Sequence, residues 1–119
     1  MTYNYSDIDS DELEFVPIGE LSEIPNGERL FVDIDGNNIV IFNISGKLFA
    51  IADLCSHDDG PLGDGEMESE YQIRCPRHGA RFDIRSGEAK SLPAIIDIPA
   101  YSVRVIDGQV EVGIPKVTE

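Results

Sequence analysis

The chain has 119 residues, 41% hydrophobic and 27% charged, which suits one domain with a packed core and leaves no room for a second of ordinary size. Its 23 Asp and Glu against 9 Lys and Arg give a formal charge of −14, so nucleic acid phosphates and anionic lipid are disfavoured as partners. No apolar stretch is long enough to cross a bilayer and the amino-terminal residues lack the pattern of a signal peptide, so a cytoplasmic protein is expected.

Residues 1–13 carry Asp7, Asp9, Asp11 and Glu12 with no basic partner, and are expected to form a flexible acidic tail. From Phe15 onward short runs of Val, Ile and Phe are closed by Gly, Asn or Asp, the pattern of strands joined by tight turns. Residues 29–34 and 38–44 flank Asp35-Gly36-Asn37 and predict a hairpin, because Asp-Gly supplies the positive φ that such a turn demands. A turn over residues 43–46 leads into a strand at 47–52, with Leu48, Ala50 and Ala52 on one face and Phe49 and Ile51 on the other. Further strands are predicted at 71–74, 81–84 and 95–98. A last hairpin turns at Asp107-Gly108 and sets Val103 and Val105 against Val110 and Val112. Many short strands without a long segment of 3.6-residue period predict an all-β fold, an antiparallel sandwich or barrel.

Two segments interrupt the strand rhythm, and each begins at a cysteine. Cys55-Ser56-His57 and Cys75-Pro76-Arg77-His78 are 17 residues apart and contain both cysteines and both histidines of the chain. Thiolate and neutral imidazole suit borderline and soft metal ions, and two of each complete a four-ligand set. A single disulfide between the cysteines is the plainer alternative, but a pair in a reducing compartment more often serves a metal or catalysis. A structural Cys2His2 zinc site competes. Against it, a zinc finger usually takes both cysteines from one hairpin and both histidines from one helix, whereas here each loop offers one of each.

The pattern C-x-H, 17 residues, C-x2-H, with Gly79 directly after the second histidine, resembles the Rieske [2Fe-2S] signature. The likeness extends to Gly60-Pro61-Leu62 in the first loop, to residues 79–83, and to Ser86-Gly87. It implies a Rieske domain over residues 14–115, an antiparallel β-sandwich bearing a small rubredoxin-like cluster-binding subdomain. The cluster-binding loops would span about residues 55–63 and 75–83, with residues 116–119 left as a short tail. The resemblance further implies that Cys55 and Cys75 bind one iron and His57 and His78 the other. Two ferric irons, two sulfides and two thiolates balance to zero charge, so electron uptake is easier than with four thiolates.

Within that family the chain is most similar to soluble ferredoxins that serve ring-hydroxylating oxygenases. High-potential relatives have an extra cysteine in each loop, and a serine and a tyrosine after the second histidine. Here Ser56 and Arg77 stand between the ligands, and Ala80 and Phe82 replace the two hydroxyl donors. Fewer hydrogen bonds to sulfur predict a potential near the low end of the Rieske range, on the order of −150 mV. The expectation is a one-electron carrier, monomeric and not itself an enzyme, between a reductase and a terminal oxygenase or another redox protein. A redox-sensing or iron–sulfur assembly module is the other family reading.

Asp58, Asp59, Asp64, Glu66, Glu68 and Glu70 make the first loop acidic, and Arg74, Arg77, Arg81 and Arg85 surround the second. Some of these arginines are expected to hold the loops together, balancing Asp83 and Glu88, and others to orient a docking partner. Gly60, Pro61, Gly63, Gly65 and Gly79 are expected either to allow close backbone approach or simply to serve the turns, and Leu54, Leu62 and Phe82 are expected to fill the core, with packing beneath or beside the loops the alternative.

Overall fold

Three hairpins turn through pairs of residues that both have positive φ: Asp35 (51°) with Gly36 (85°), Ser45 (54°) with Gly46 (89°), and Asp107 (51°) with Gly108 (80°). Such pairs match the right-handed twist of the strands they join. The computed structural model describes residues 10–54, 60–76, 79–92 and 96–115. Its strands are β1 (Leu13–Glu20), β2 (Arg29–Ile34), β3 (Asn37–Ile44), β4 (Lys47–Ala52), β5 (Glu66–Met67), β6 (Gln72–Arg74), β7 (Arg81–Asp83), β8 (Ala100–Ile106) and β9 (Gln109–Pro115).

They form a six-stranded antiparallel sheet, ordered β1-β9-β8-β4-β3-β2, and a three-stranded one, ordered β5-β6-β7. Strands β4 and β8 meet through only two residue pairs, Ala50 with Tyr101 and Ile51 with Ala100. About this narrow junction the large sheet folds over on itself, because Ile39, Ile41 and Ala50 from one half share a buried core with Val110 and Val112 from the other. The open edges β1 and β2 flank a groove lined by Val16, Ile18, Val32 and Ile34. This is the expected antiparallel sandwich.

Strand β4 alternates as predicted. Leu48, Ala50 and Ala52 face the inner core, and Phe49 and Ile51 face a second, outer core. That outer core joins Val40, Phe42 and Ile51 of β3 and β4 to Leu62, Ile73, Cys75, Ala80, Phe82 and Ile84, so the small sheet sits on the outer surface of the sandwich. The last hairpin also has the predicted register, Val103 opposite Val112 and Val105 opposite Val110.

Three local readings change. Leu13, assigned to the tail by its acidic neighbours, opens β1 at 4% exposure, and Ser10–Glu12 already form a 3-10 turn. Its partner Pro115 lies at the other end of the chain and leaves no local trace in the sequence. Asn37, expected in the first turn, opens β3, which runs to Ile44 as predicted. Asn43 is buried yet satisfied, donating from Nδ2 to the Ile24 carbonyl (2.7 Å) and accepting at Oδ1 from the Gly46 amide (2.9 Å). Residues 96–98 form no strand; Ile98 is buried, and its amide donates to the Gly87 carbonyl (2.8 Å).

Candidate metal centre

Of the four residues expected to bind metal, Cys55, His57 and His78 lie outside the described residues, as does Arg77. Cys75 is placed. It follows β6, is 1% exposed, and belongs to the outer core. Its amide donates to the Ala80 carbonyl (2.7 Å) and its carbonyl accepts from the Gly79 amide (3.0 Å), closing the loop between β6 and β7. Gly79 has φ 77°, a conformation that side-chain-bearing residues rarely adopt.

A cavity of about 600 Å³ opens beside this loop. Arg74, Cys75, Pro76 and Gly79 line one side, and Asp64, Gly65 and Glu66 line the other. The second candidate loop and the segment leaving the first therefore share one space. Gly65 is required there, because a Cβ on it would overlap the Arg74 carbonyl oxygen. Backbone packed this closely, with a buried thiol at its margin, suits a small inorganic group held by soft ligands. Among the described residues, Cys75 and this lining fit the [2Fe-2S] cluster that the motifs imply.

The neck of the first loop is tied to the sandwich by residues outside the motifs. Asp53 Oδ1 accepts from the amides of Leu62 (2.8 Å) and Gly63 (2.5 Å). Arg29 Nη1, at the start of β2, donates to the carbonyls of Gly63 (2.5 Å) and Gly65 (2.8 Å), with its guanidinium 5.1 Å from the Phe42 ring centroid. Gly63 lies against Phe31, whose ring would collide with any Cβ there. Leu62 and Phe82 are fully buried in the outer core, as expected, whereas Leu54 packs against the inner one. Neither Arg29 nor Asp53 stands out in the sequence. The only signal is the position of Asp53, two residues before the first cysteine.

The charges around the second loop are largely paired. Glu68 takes Arg81 at 3.1 Å and Arg74 at 3.7 Å. Arg85 makes a two-pronged contact with Asp83, Nε to Oδ1 (3.1 Å) and Nη2 to Oδ2 (2.8 Å), and lies 4.2 Å from the Tyr71 ring centroid. Burial pushes the Asp83 carboxyl up, but the hydrogen bonds from the Arg85 side chain and amide outweigh it and hold the group below its usual range. A hydrogen bond with Glu70, with burial second, raises the Tyr71 hydroxyl. Glu88 pairs with Lys90 (3.1 Å), not with the expected arginine. No helix among the described residues is long and apolar enough to cross a membrane.

Residues 14–102 match the model of the Rieske [2Fe-2S] domain. The 3-phenylpropionate/cinnamic acid dioxygenase ferredoxin subunit of Escherichia coli K12 is 33% identical over 96 residues, spanning 81% of this chain and 90% of the relative. Among solved structures, the ferredoxin of carbazole 1,9a-dioxygenase from Nocardioides aromaticivorans IC177 superposes with a TM-score of 0.78 at 32% identity, covering 86% of this chain and 98% of that one. A Sphingomonas yanoikuyae B1 ferredoxin gives a TM-score of 0.76 at 31% identity, covering 86% and 100%. Motif, fold and likeness converge, and the chain belongs to the Rieske [2Fe-2S] domain family.

Proposed function

We propose that Cys55, His57, Cys75 and His78 hold one [2Fe-2S] cluster per chain, and that the chain is a ferredoxin carrying single electrons from a reductase to a terminal oxygenase. The observation that carries this is the shared cavity, where the Cys75 loop faces the segment leaving the first motif loop. The cluster would supply a one-electron couple, with its negative charge reduced by two neutral imidazole ligands in place of thiolates. The chain's own residues bury the Cys75 thiol, line the cavity with backbone, and fix both loops to the sandwich. With both cysteines and both histidines committed as ligands, the chain keeps no thiol or imidazole for acid–base or nucleophilic chemistry, in keeping with a carrier and not an enzyme. The dioxygenase ferredoxins it resembles support an oxygenase as acceptor. A cytoplasmic site of action suits a chain with only two cysteines, both used for metal.

The deciding experiment is the visible spectrum of anaerobically purified protein before and after dithionite, with iron, sulfide and zinc analysis on the same sample. Two irons and two sulfides per chain, reversible bleaching and a Rieske-type EPR signal on reduction are expected. A colourless protein holding one zinc would overturn the proposal in favour of a structural module. On the same reading, Arg77→Glu should slow electron transfer to the partner at low salt while leaving the cluster in place.

A further inference from the structure

We infer that Arg29 is a positioning residue for the cluster: from the far edge of the sandwich it fixes the neck of the first ligand loop, working against Asp53. This rests on the cluster reading above. The residues between Asp53 and Leu62 include both Cys55 and His57, so a loop offering two ligands is only as well placed as its two ends. Asp53, at the entrance, accepts from the amides of Leu62 and Gly63 at the exit. One carboxylate oxygen thus draws the ends together.

That tie closes the loop on itself but does not fix where the closed loop sits. Arg29 supplies the second constraint. Its Nη1 donates to the carbonyls of Gly63 and Gly65, the latter a residue lining the cavity beside Cys75. The guanidinium lies over Phe42, which is 2% exposed in the outer core beneath that cavity. Phe31, two residues along β2, closes on Gly63 from the same strand.

The choice of partner is informative. In a chain of net charge −14, a half-buried arginine has abundant carboxylates to meet, yet among the described residues its hydrogen bonds go to two backbone carbonyls of this one segment. A charge-assisted pair of bonds is stronger than neutral ones and sets direction as well as distance. Arg104 shows the contrast. It also lies over an aromatic ring, Phe15, but its ion pair is with Glu111, and among the described residues it has no bond to either loop.

The test compares wild type, Arg29→Met, Arg29→Lys, Asp53→Ala and Arg104→Met as cluster-loaded proteins. The readouts are the EPR line widths of the reduced protein, the midpoint potential, and the rate of bleaching by excess EDTA at a temperature where far-UV circular dichroism is unchanged. Arg29→Met and Asp53→Ala should broaden the EPR lines, shift the midpoint and bleach severalfold faster. Arg29→Lys, which keeps a charged donor, should recover part of the loss, and Arg104→Met should match wild type. If Arg29→Met does not accumulate, Asp53→Ala reads the same neck from its other side. Wild-type line widths, potential and bleaching in the neck variants would overturn the inference, as would changes of equal size in Arg104→Met. A colourless, EPR-silent wild type would instead overturn the cluster reading, and this inference with it.

Discussion

The two cores are built on different terms. The inner one lies between long ladders, six residue pairs between β2 and β3 and six between β3 and β4. The outer one is roofed by a sheet with two pairs between β5 and β6 and three between β6 and β7. Short strands give few cooperative hydrogen bonds, so the roof depends on burial against Val40, Phe42 and Ile51 and, on the proposed function, on cross-links from the cluster ligands. Stability resides mainly in the sandwich and chemistry in the roof. The region that must hold a reactive group at its surface is the one with the least backbone support of its own.

Removing a proposed cluster ligand should separate the two most sharply. Cys75→Ser is expected to abolish the visible absorption entirely, while amides of β2, β3 and β4 keep their exchange protection and those of β6 and β7 lose it. Equal loss in both sheets would break the comparison. Next in size is Ile41→Ala in the inner core, where Ile41 is fully buried; it should cost about 2–5 kcal/mol in urea unfolding. Ile73→Ala, equally buried in the outer core, should show itself first as faster cluster loss, because its surroundings open before the sandwich does.

The contact between chain and cluster can be tuned more gently. Ala80 and Phe82 are fully buried beside Cys75 and offer no hydroxyl. Ala80→Ser should raise the midpoint on the order of 60 mV, a tenfold change for a one-electron couple, if its hydroxyl reaches sulfur. Phe82→Tyr should raise it too, but with an unfolding cost of about 1–3 kcal/mol if the new hydroxyl finds no partner in that apolar setting.

The smallest effect is in acid. The folded Asp83 carboxyl titrates below its unfolded value. Its contribution is therefore fully present above the unfolded value of about 3.9, and is lost as pH falls through the lower folded one. Because the side chain of Arg85 is 52% exposed, the pair should be worth about 1 kcal/mol or less. Asp83→Asn should flatten the stability profile in that acid window and lower stability by the same small amount near neutrality, where the wild-type contribution is fully present.

What the sequence disclosed follows the range of the interactions. The Asp-Gly and Ser-Gly turns and the alternation along β4 are local, and they are where the residue pattern put them. The Cys–His motifs single out two loops, because soft-ligand chemistry leaves few other uses for residues so scarce, and the described flanks of both line one cavity. Pairings between distant segments were not legible. Leu13 reads as tail until Pro115 is seen across from it. The two-residue β5 is too short to form a pattern. Arg29 reads as an ordinary strand-end cation, since its carbonyl partners lie 34 and 36 residues away.

Strand β3 has no wet face over residues 39–42: Ile39 and Ile41 enter one core, Val40 and Phe42 the other. A slip of one residue, which in a half-exposed strand would throw its apolar side chains into water, would here merely exchange one apolar pair for another. Oiliness cannot proofread such a strand. The discrimination falls to its punctuation, the fixed two-residue turns at either end, and to Asn43, whose carboxamide has partners in one alignment only. Misplaced, it would leave a buried amide unsatisfied at about 1–3 kcal/mol. Fidelity of folding at the centre of the molecule is thus entrusted to one polar side chain and two bends.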